Sequence, residues 1–287
     1  MRRVLNWRSL AWLPALALAG CVVEQPYPYQ GQQPVYTSAA PVPATDETEE
    51  EANEPPPPIP VYEQPPCPEE GYVWTPGVWR WGADGYFWVP GTWVAPPQVG
   101  FLWTPGYWAL SGTVYVFHGG HWGSHVGYYG GINYGHGYDG DGYRGGRWVN
   151  NRFQYNTTVT NVSVTNVHNV YRETVVNNVT ANSPRVGFVG GGGARPQPTP
   201  FEAAHANEPR FRPTPPQLQH HEDARAEPAL NATRNAGRPP FAGTPRPSAF
   251  RVEGVTAAKP VGEAYHPQHP VQREEKHDER RDEKPRE

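Results

Sequence analysis

Tyr72-Val73-Trp74-Thr75-Pro76-Gly77-Val78-Trp79, Tyr86-Phe87-Trp88-Val89-Pro90-Gly91-Thr92-Trp93 and Phe101-Leu102-Trp103-Thr104-Pro105-Gly106-Tyr107-Trp108 are three copies of one short phrase. A fourth, degenerate copy reads Tyr115-Val116-Phe117-His118-Gly119-Gly120-His121-Trp122, with Phe in the first Trp slot and Gly in the Pro slot. The anchoring glycines, Gly77, Gly91, Gly106 and Gly120, are 14, 15 and 14 residues apart. That period is too short for a pair of helices and suits one strand plus one turn. Gly82-Ala83-Asp84-Gly85 and Ser111-Gly112 read as hairpin turns, because Gly and Asp tolerate positive φ. Copies two and three are joined by the wider loop Ala95-Pro96-Pro97-Gln98-Val99-Gly100. The expectation over residues 71–123 is a small antiparallel β meander of two hairpins.

Within a copy the two Trp positions are five apart, which in an unbroken strand places them on opposite faces. Pro cannot donate to a ladder and Gly permits a bulge or turn, so the Pro-Gly pair predicts an interruption that returns both rings to one face. Eight of the eleven Trp residues fall in this stretch, at positions 74, 79, 81, 88, 93, 103, 108 and 122.

The phrases Trp74-Thr75-Pro76-Gly77-Val78-Trp79, Trp88-Val89-Pro90-Gly91-Thr92-Trp93 and Trp103-Thr104-Pro105-Gly106-Tyr107-Trp108 resemble the WXXGXW (YXWGXW) repeat of bacterial envelope proteins. That set includes lipoproteins and proteins described as BcpO-related. The resemblance implies an envelope location and no activity, catalytic residue or cofactor.

Working outward, 36 Pro and 31 Gly make up 67 of the 287 residues, and 37% are hydrophobic. This composition predicts one small ordered module among Pro/Gly-rich disordered segments, in a chain that is mostly β and disordered. Residues 1–20 read as a lipoprotein signal peptide: Met1-Arg2-Arg3 supplies charge, Leu10 to Ala19 a short apolar run, and Leu18-Ala19-Gly20-Cys21 resembles a lipobox with Cys21 as the lipidated residue. The apolar run is too short to span a bilayer. Loss of Arg2, Arg3 and Arg8 with the leader leaves 21 basic against 28 acidic residues, a balance that argues against nucleic-acid binding. Val22 follows Cys21 where an inner-membrane lipoprotein often carries Asp, so sorting resemblance points to the outer membrane.

Residues 21–70 read as a Pro-rich, acidic tether, with Pro55-Pro56-Pro57-Pro58-Ile59-Pro60 favouring extended chain. Residues 124–146 read as a Gly/Tyr-rich loop, mobile or an irregular surface segment. The Val/Asn/Thr-rich stretch 147–189 has apolar spacing near a helical period, but β-branched and Asn content favours extended structure. Residues 190–287 read as a disordered Pro-rich and charged tail. Cys67 is the remaining cysteine, open to an intermolecular disulfide or to a solitary thiol.

Two chemistries are on offer, and a third, catalysis, is not. His118, His121 and His125 are close enough to suggest a transition-metal site, or simply a wet edge on which His replaces Thr and Val. No nucleophile elbow, phosphate-cradling loop or carboxylate pair points to an enzyme. Trp74, Trp79, Trp88, Trp93, Trp103, Trp108 and Trp122 form an aromatic array that serves either as a partner surface or as the core of a small sheet. The sequence thus points to a non-enzymatic outer-membrane lipoprotein, anchored to the membrane through the lipid on Cys21, with a structural or protein-interaction role. The alternative is a peptidoglycan or surface-polysaccharide binder that stacks sugars on Trp and Tyr. No cofactor is expected.

Overall fold

Each pair of phrases closes into one hairpin. Strand β1 (Glu50–Ala52) precedes the repeats. In the first repeat, β2 (Val73–Thr75), β3 (Val78–Gly82), β4 (Gly85–Val89) and β5 (Gly91–Val94) pair antiparallel, β2 with β5 and β3 with β4. In the second, β6 (Leu102–Thr104), β7 (Tyr107–Ser111), β8 (Val114–His118) and β9 (His121–Gly123) do the same, β6 with β9 and β7 with β8. The hairpin tips fall at the expected turns, where Gly85 and Gly112 have φ of 89° and 63°. This computed structural model describes residues 43, 50–163, 166–175, 185–194, 197–259 and 261–267, all within a unit spanning residues 33–287. The leader, Cys21, the first half of the expected tether and the chain beyond residue 267 lie outside the described residues.

The Pro-Gly pairs interrupt both ladders, and the interruption explains the motif. Gly77 and Gly91 face each other across the first hairpin. A Cβ on Gly77 would stand 2.2 Å from the Trp88 ring and 2.8 Å from the Gly91 nitrogen, and one on Gly91 would stand 2.5 Å from the Trp74 ring. The second hairpin repeats this geometry, with Phe117 over Gly106 and Trp103 over Gly120. The first aromatic of each copy therefore fills the space that the partner copy's glycine leaves open. The second Trp meets that same partner ring across the ladder. Trp74 pairs with Trp93, Trp79 with Trp88, Trp103 with Trp122 and Trp108 with Phe117, at centroid distances of 5.3, 5.2, 5.3 and 5.2 Å. Three of these contacts are edge-to-face, and each is worth about 0.5–1.5 kcal/mol beyond the area it buries.

The two hairpins do not share a ladder, contrary to a single small meander sheet. β2 and β5 belong to one four-stranded sheet, β7 and β8 to another, and β3–β4 and β6–β9 remain two-stranded. The break at each Pro-Gly pair lets the two halves of a hairpin join different sheets. The hairpins dock instead through side chains. Trp108 Nε1 donates to the Trp79 carbonyl at 2.8 Å, Tyr86 packs edge-on against Trp108, and the Arg80 guanidinium lies 4.3 Å over the Phe117 ring. Arg80 is itself held by Glu50 of β1, with Nε 3.0 Å from Oε1.

The mostly β architecture of small antiparallel hairpins is as the sequence predicts, but order extends well past the repeats. The Gly/Tyr-rich segment expected to be mobile contributes β10 (Asn133–Gly135) and β11 (Tyr138–Asp139), and Tyr129, Ile132, Tyr134 and Tyr138 are buried. The reason lies in repeat carbonyls that need donors, at the Pro105-Gly106 break and on the edge strands β2 and β6. Tyr134 donates to the Gly106 carbonyl at 2.6 Å, and the Tyr138 hydroxyl bridges the carbonyls of Trp74 and Trp103 at 3.2 and 2.9 Å. The stretch expected to be extended supplies β12 (Gly146–Val149) and β13 (Arg152–Asn156), joined by a tight turn with positive φ at Asn150 and Asn151, then β14 (Val170–Tyr171) and β15 (Phe188–Val189).

The described parts of the expected tether and tail are also packed. Buried indole N–H groups need acceptors, and proline-rich chain offers carbonyls without competing donors. Trp79 donates to the Pro58 carbonyl at 3.1 Å and Trp93 to that of Pro65 at 2.8 Å, which draws residues 54–67 onto the repeats. On the C-terminal side α1 (Pro200–Ala204), α2 (Pro215–Ala226), a 3-10 turn at Pro228–Leu230, α3 (Ala232–Asn235), β16 (Phe241–Thr244) and β17 (Thr256–Ala257) follow. Trp88 donates to the Ala242 carbonyl at 3.3 Å and Trp122 to Gln217 Oε1 at 2.8 Å. β16 pairs parallel with β5, which places a distant strand beside the first repeat.

Helix α2 docks through a buried histidine. His220 Nε2 lies 2.8 Å from the Pro90 carbonyl, while Nδ1 accepts from the Ser248 nitrogen at 2.9 Å. This arrangement uses the neutral ring. Burial pushes the pKa of His220 down to about 4, only partly countered by the Pro90 hydrogen bond and by Asp223. Burial likewise lowers His121 and His221 to about 4 and His136 to about 3. An unfolded histidine takes up its proton near pH 6.5, so these rings contribute stability that is complete above that pH and lost as pH falls towards 4. Urea unfolding at pH 7.5 and pH 4.5 is expected to show this decline. His220→Gln, whose amide can keep both hydrogen bonds, should make the decline shallower; an unchanged pH slope would remove His220 from the effect.

Candidate functional site

The seven tryptophans named as a candidate partner surface are all in the core. Trp74, Trp88, Trp93 and Trp122 are fully buried, Trp79 and Trp108 are 1% exposed, and Trp103 is 8% exposed. Their faces meet other rings and the glycine backbone, so they leave no free stacking platform for a sugar. The partner-surface expectation for these residues is corrected on that ground. Cys67 is also buried, and its Sγ–H donates to the Glu69 carbonyl at 3.1 Å. Burial pushes its pKa up to about 12, which disfavours the intermolecular-disulfide reading and fits a solitary, buried thiol.

The polar chemistry gathers in a cavity of about 250 Å³ where the second hairpin meets residues 198–210. His118, His121 and His125 all line it, together with Glu202, His205 and Glu208. The three histidines have different fates. His118 stacks on Tyr107 at 4.8 Å. His121 is held neutral by burial and by the Arg210 charge. His125 is the exposed one, and its Nδ1 lies 2.9 Å from both Glu208 carboxylate oxygens. The His125 and His205 rings are 4.2 Å apart.

Local folding explains why the C-terminal residues arrive there. Thr199-Pro200-Phe201-Glu202 is a capping box with Pro at the first helical position. The Thr199 nitrogen donates to Glu202 Oε2 at 2.8 Å, and the Glu202 nitrogen donates back to Thr199 Oγ1 at 3.2 Å. One turn later the chain reaches His205, whose Nδ1 meets the Phe201 carbonyl at 2.7 Å. Phe211 then clamps the segment to β9. Its nitrogen and carbonyl exchange hydrogen bonds with Trp122, both at 2.9 Å, and its ring stacks on Phe101 at 4.8 Å. Glu208 sits between these two fixings.

Among the described residues, His125, His205 and Glu208 place one donor atom each within 4.8 Å of one another. The expected trio of His118, His121 and His125 is therefore brought to one cavity, but only His125 joins a ligand-type cluster. His205 and Glu208 went unread because their neighbourhood looks like a disordered tail. The capping box at Thr199 was the signal that residues 199–205 form a helix end.

The geometry defines a tandem aromatic-hairpin module, each unit built from two interlocked copies of the phrase. Residues 71–94 and 99–122 match the WXXGXW repeat, in two copies. The matched unit is thus the whole hairpin, two phrases long. The match names the repeat and nothing narrower. No curated protein and no solved structure matches the chain.

Proposed function

We propose that this is a non-enzymatic, lipid-anchored protein of the bacterial outer membrane, with a structural or protein-interaction role centred on the repeat module. The observation that carries the reading is where the repeat aromatics go. They form a core that grips chain on both sides, through Pro58 and Pro65 before the repeats and Gln217 and Ala242 after them. Such a module supplies a rigid body for contact with another envelope protein or a second copy. Its buried rings do not favour the glycan-stacking alternative. The anchor rests on Leu18-Ala19-Gly20-Cys21 and the charged, apolar leader before it. Cys21→Ala is expected to move the protein from the membrane fraction to the soluble one. A variant that still fractionates wholly with membranes would remove the lipid-anchor reading.

A further inference from the structure

We infer that His125, His205 and Glu208 bind a divalent transition metal of the zinc class, which braces the C-terminal segment against the second repeat. Two nitrogens and one carboxylate form the donor set of borderline metals and a poor one for calcium or magnesium, which favour all-oxygen shells. The three donor atoms already lie within 4.8 Å of one another, and the residues are partly exposed, so an ion can enter from solvent. Ligands around one ion at about 2.0–2.2 Å stand roughly 3.3–3.6 Å apart, so the site closes by small side-chain movements.

The outer partner of one ligand is in place. The His205 Nδ1–H faces the Phe201 carbonyl at 2.7 Å. This leaves Nε2 with its lone pair, the orientation that metal-ligating histidines commonly receive from a backbone acceptor. His125 Nδ1 and the Glu208 carboxylate meet at 2.9 Å, a hydrogen-bond contact that metal binding would replace.

A second observation points to a cation independently of the cluster. Glu202 lines the same cavity, is 2% exposed, and its Oε1 has no hydrogen-bond partner among the described residues. A buried carboxylate oxygen without a donor is costly, and positive charge in the cavity offsets that cost. Arg210 on the cavity wall supplies some of it, but its Nη2 is turned to the Ala206 carbonyl at 3.0 Å. Zinc bound by His125, His205 and Glu208 would tie together positions 83 residues apart and fix the segment between α1 and Phe211.

Calorimetric titration of the metal-free, untagged full chain with ZnCl2 is the test, with MgCl2 and CaCl2 as comparisons. The expected result is one zinc per chain at micromolar Kd or tighter, a raised Tm with zinc alone, and no comparable response to the other two ions. His205→Ala and Glu208→Gln should each weaken zinc at least tenfold, on the order of what a lost ligand or its outer partner costs. His266→Ala, an exposed histidine remote in sequence, should bind as the parent does. Glu208→Gln keeps the side-chain shape, so it carries the test if His205→Ala fails to fold. Millimolar zinc affinity in the parent overturns the inference, as does parent-like affinity in the folded variants.

Discussion

Gly77→Ala is expected to lower the unfolding free energy by about 3 kcal/mol or more, at the upper end of overpacking effects. The added Cβ would stand 2.2 Å from the Trp88 ring and 2.8 Å from the backbone nitrogen of Gly91. The ring is fully buried and edge-on to Trp79, and the backbone belongs to the facing strand, so neither neighbour can retreat without opening the hairpin. Gly82, five residues on, is the internal comparison. A Cβ there meets nothing closer than the Phe87 ring at 3.4 Å, and Gly82→Ala should change stability by less than about 1 kcal/mol. Urea denaturation followed by far-UV circular dichroism measures both. Equal losses in the two variants would show that the close glycine-ring contact is not what fixes this position.

Trp93→Ala is expected to cost about 4–5 kcal/mol, the upper range for removing a large buried aromatic. Three losses combine at this position. The ring leaves a cavity beside Trp74 and Tyr155, the edge-to-face pair with Trp74 disappears, and the Pro65 carbonyl loses its indole donor. Trp93→Phe should recover most of the packing but not the hydrogen bond. Trp74→Phe is the sharper comparison, since the Trp74 Nε1 is buried with no partner among the described residues. It should therefore cost less than Trp93→Phe by about 1 kcal/mol, the net worth of one hydrogen bond. If the two Phe variants are equally stable, the grip on Pro65 contributes nothing and the proline-rich segment is held by other contacts.

These contrasts also mark what the sequence discloses. The hairpin tips were legible because Gly82-Ala83-Asp84-Gly85 and Ser111-Gly112 carry turn chemistry in four residues or fewer. The fourth copy was legible from the position of Gly120 despite Phe117, and Phe117 does occupy the Trp slot over Gly106. The interruption at Pro-Gly followed from what Pro and Gly do to a ladder. The fate of the rings was not legible. Whether Trp93 faces solvent or core depends on Pro65, 28 residues away, and for Trp88 on Ala242, 154 residues away.

Low-complexity composition hid that dependence. A proline-rich stretch scores as unable to build a core of its own, which is true and beside the point when its carbonyls complete another segment's donors. The Gly/Tyr stretch misled in the same way, since Tyr134 meets the carbonyl at the Gly106 break and Tyr138 meets carbonyls of the edge strands β2 and β6. For the cavity, His118, His121 and His125 were visible by their closeness in sequence. His205 and Glu208 were not, because they are brought to the second repeat by contacts distant in sequence, among them the paired backbone at Phe211 and Trp122 and the Phe211 ring on Phe101.

The seating of each first-position ring on the opposite copy's glycine makes a single phrase structurally unfinished. A lone copy has a ring with no seat and a seat with no ring, and only a facing copy supplies both. An array of this kind therefore grows or shrinks by whole hairpins, two phrases at a time. An odd copy would carry an exposed indole and an unfilled backbone gap in search of a complement. Among the described residues the four copies pair off evenly, and their rings and glycines leave no such half-site.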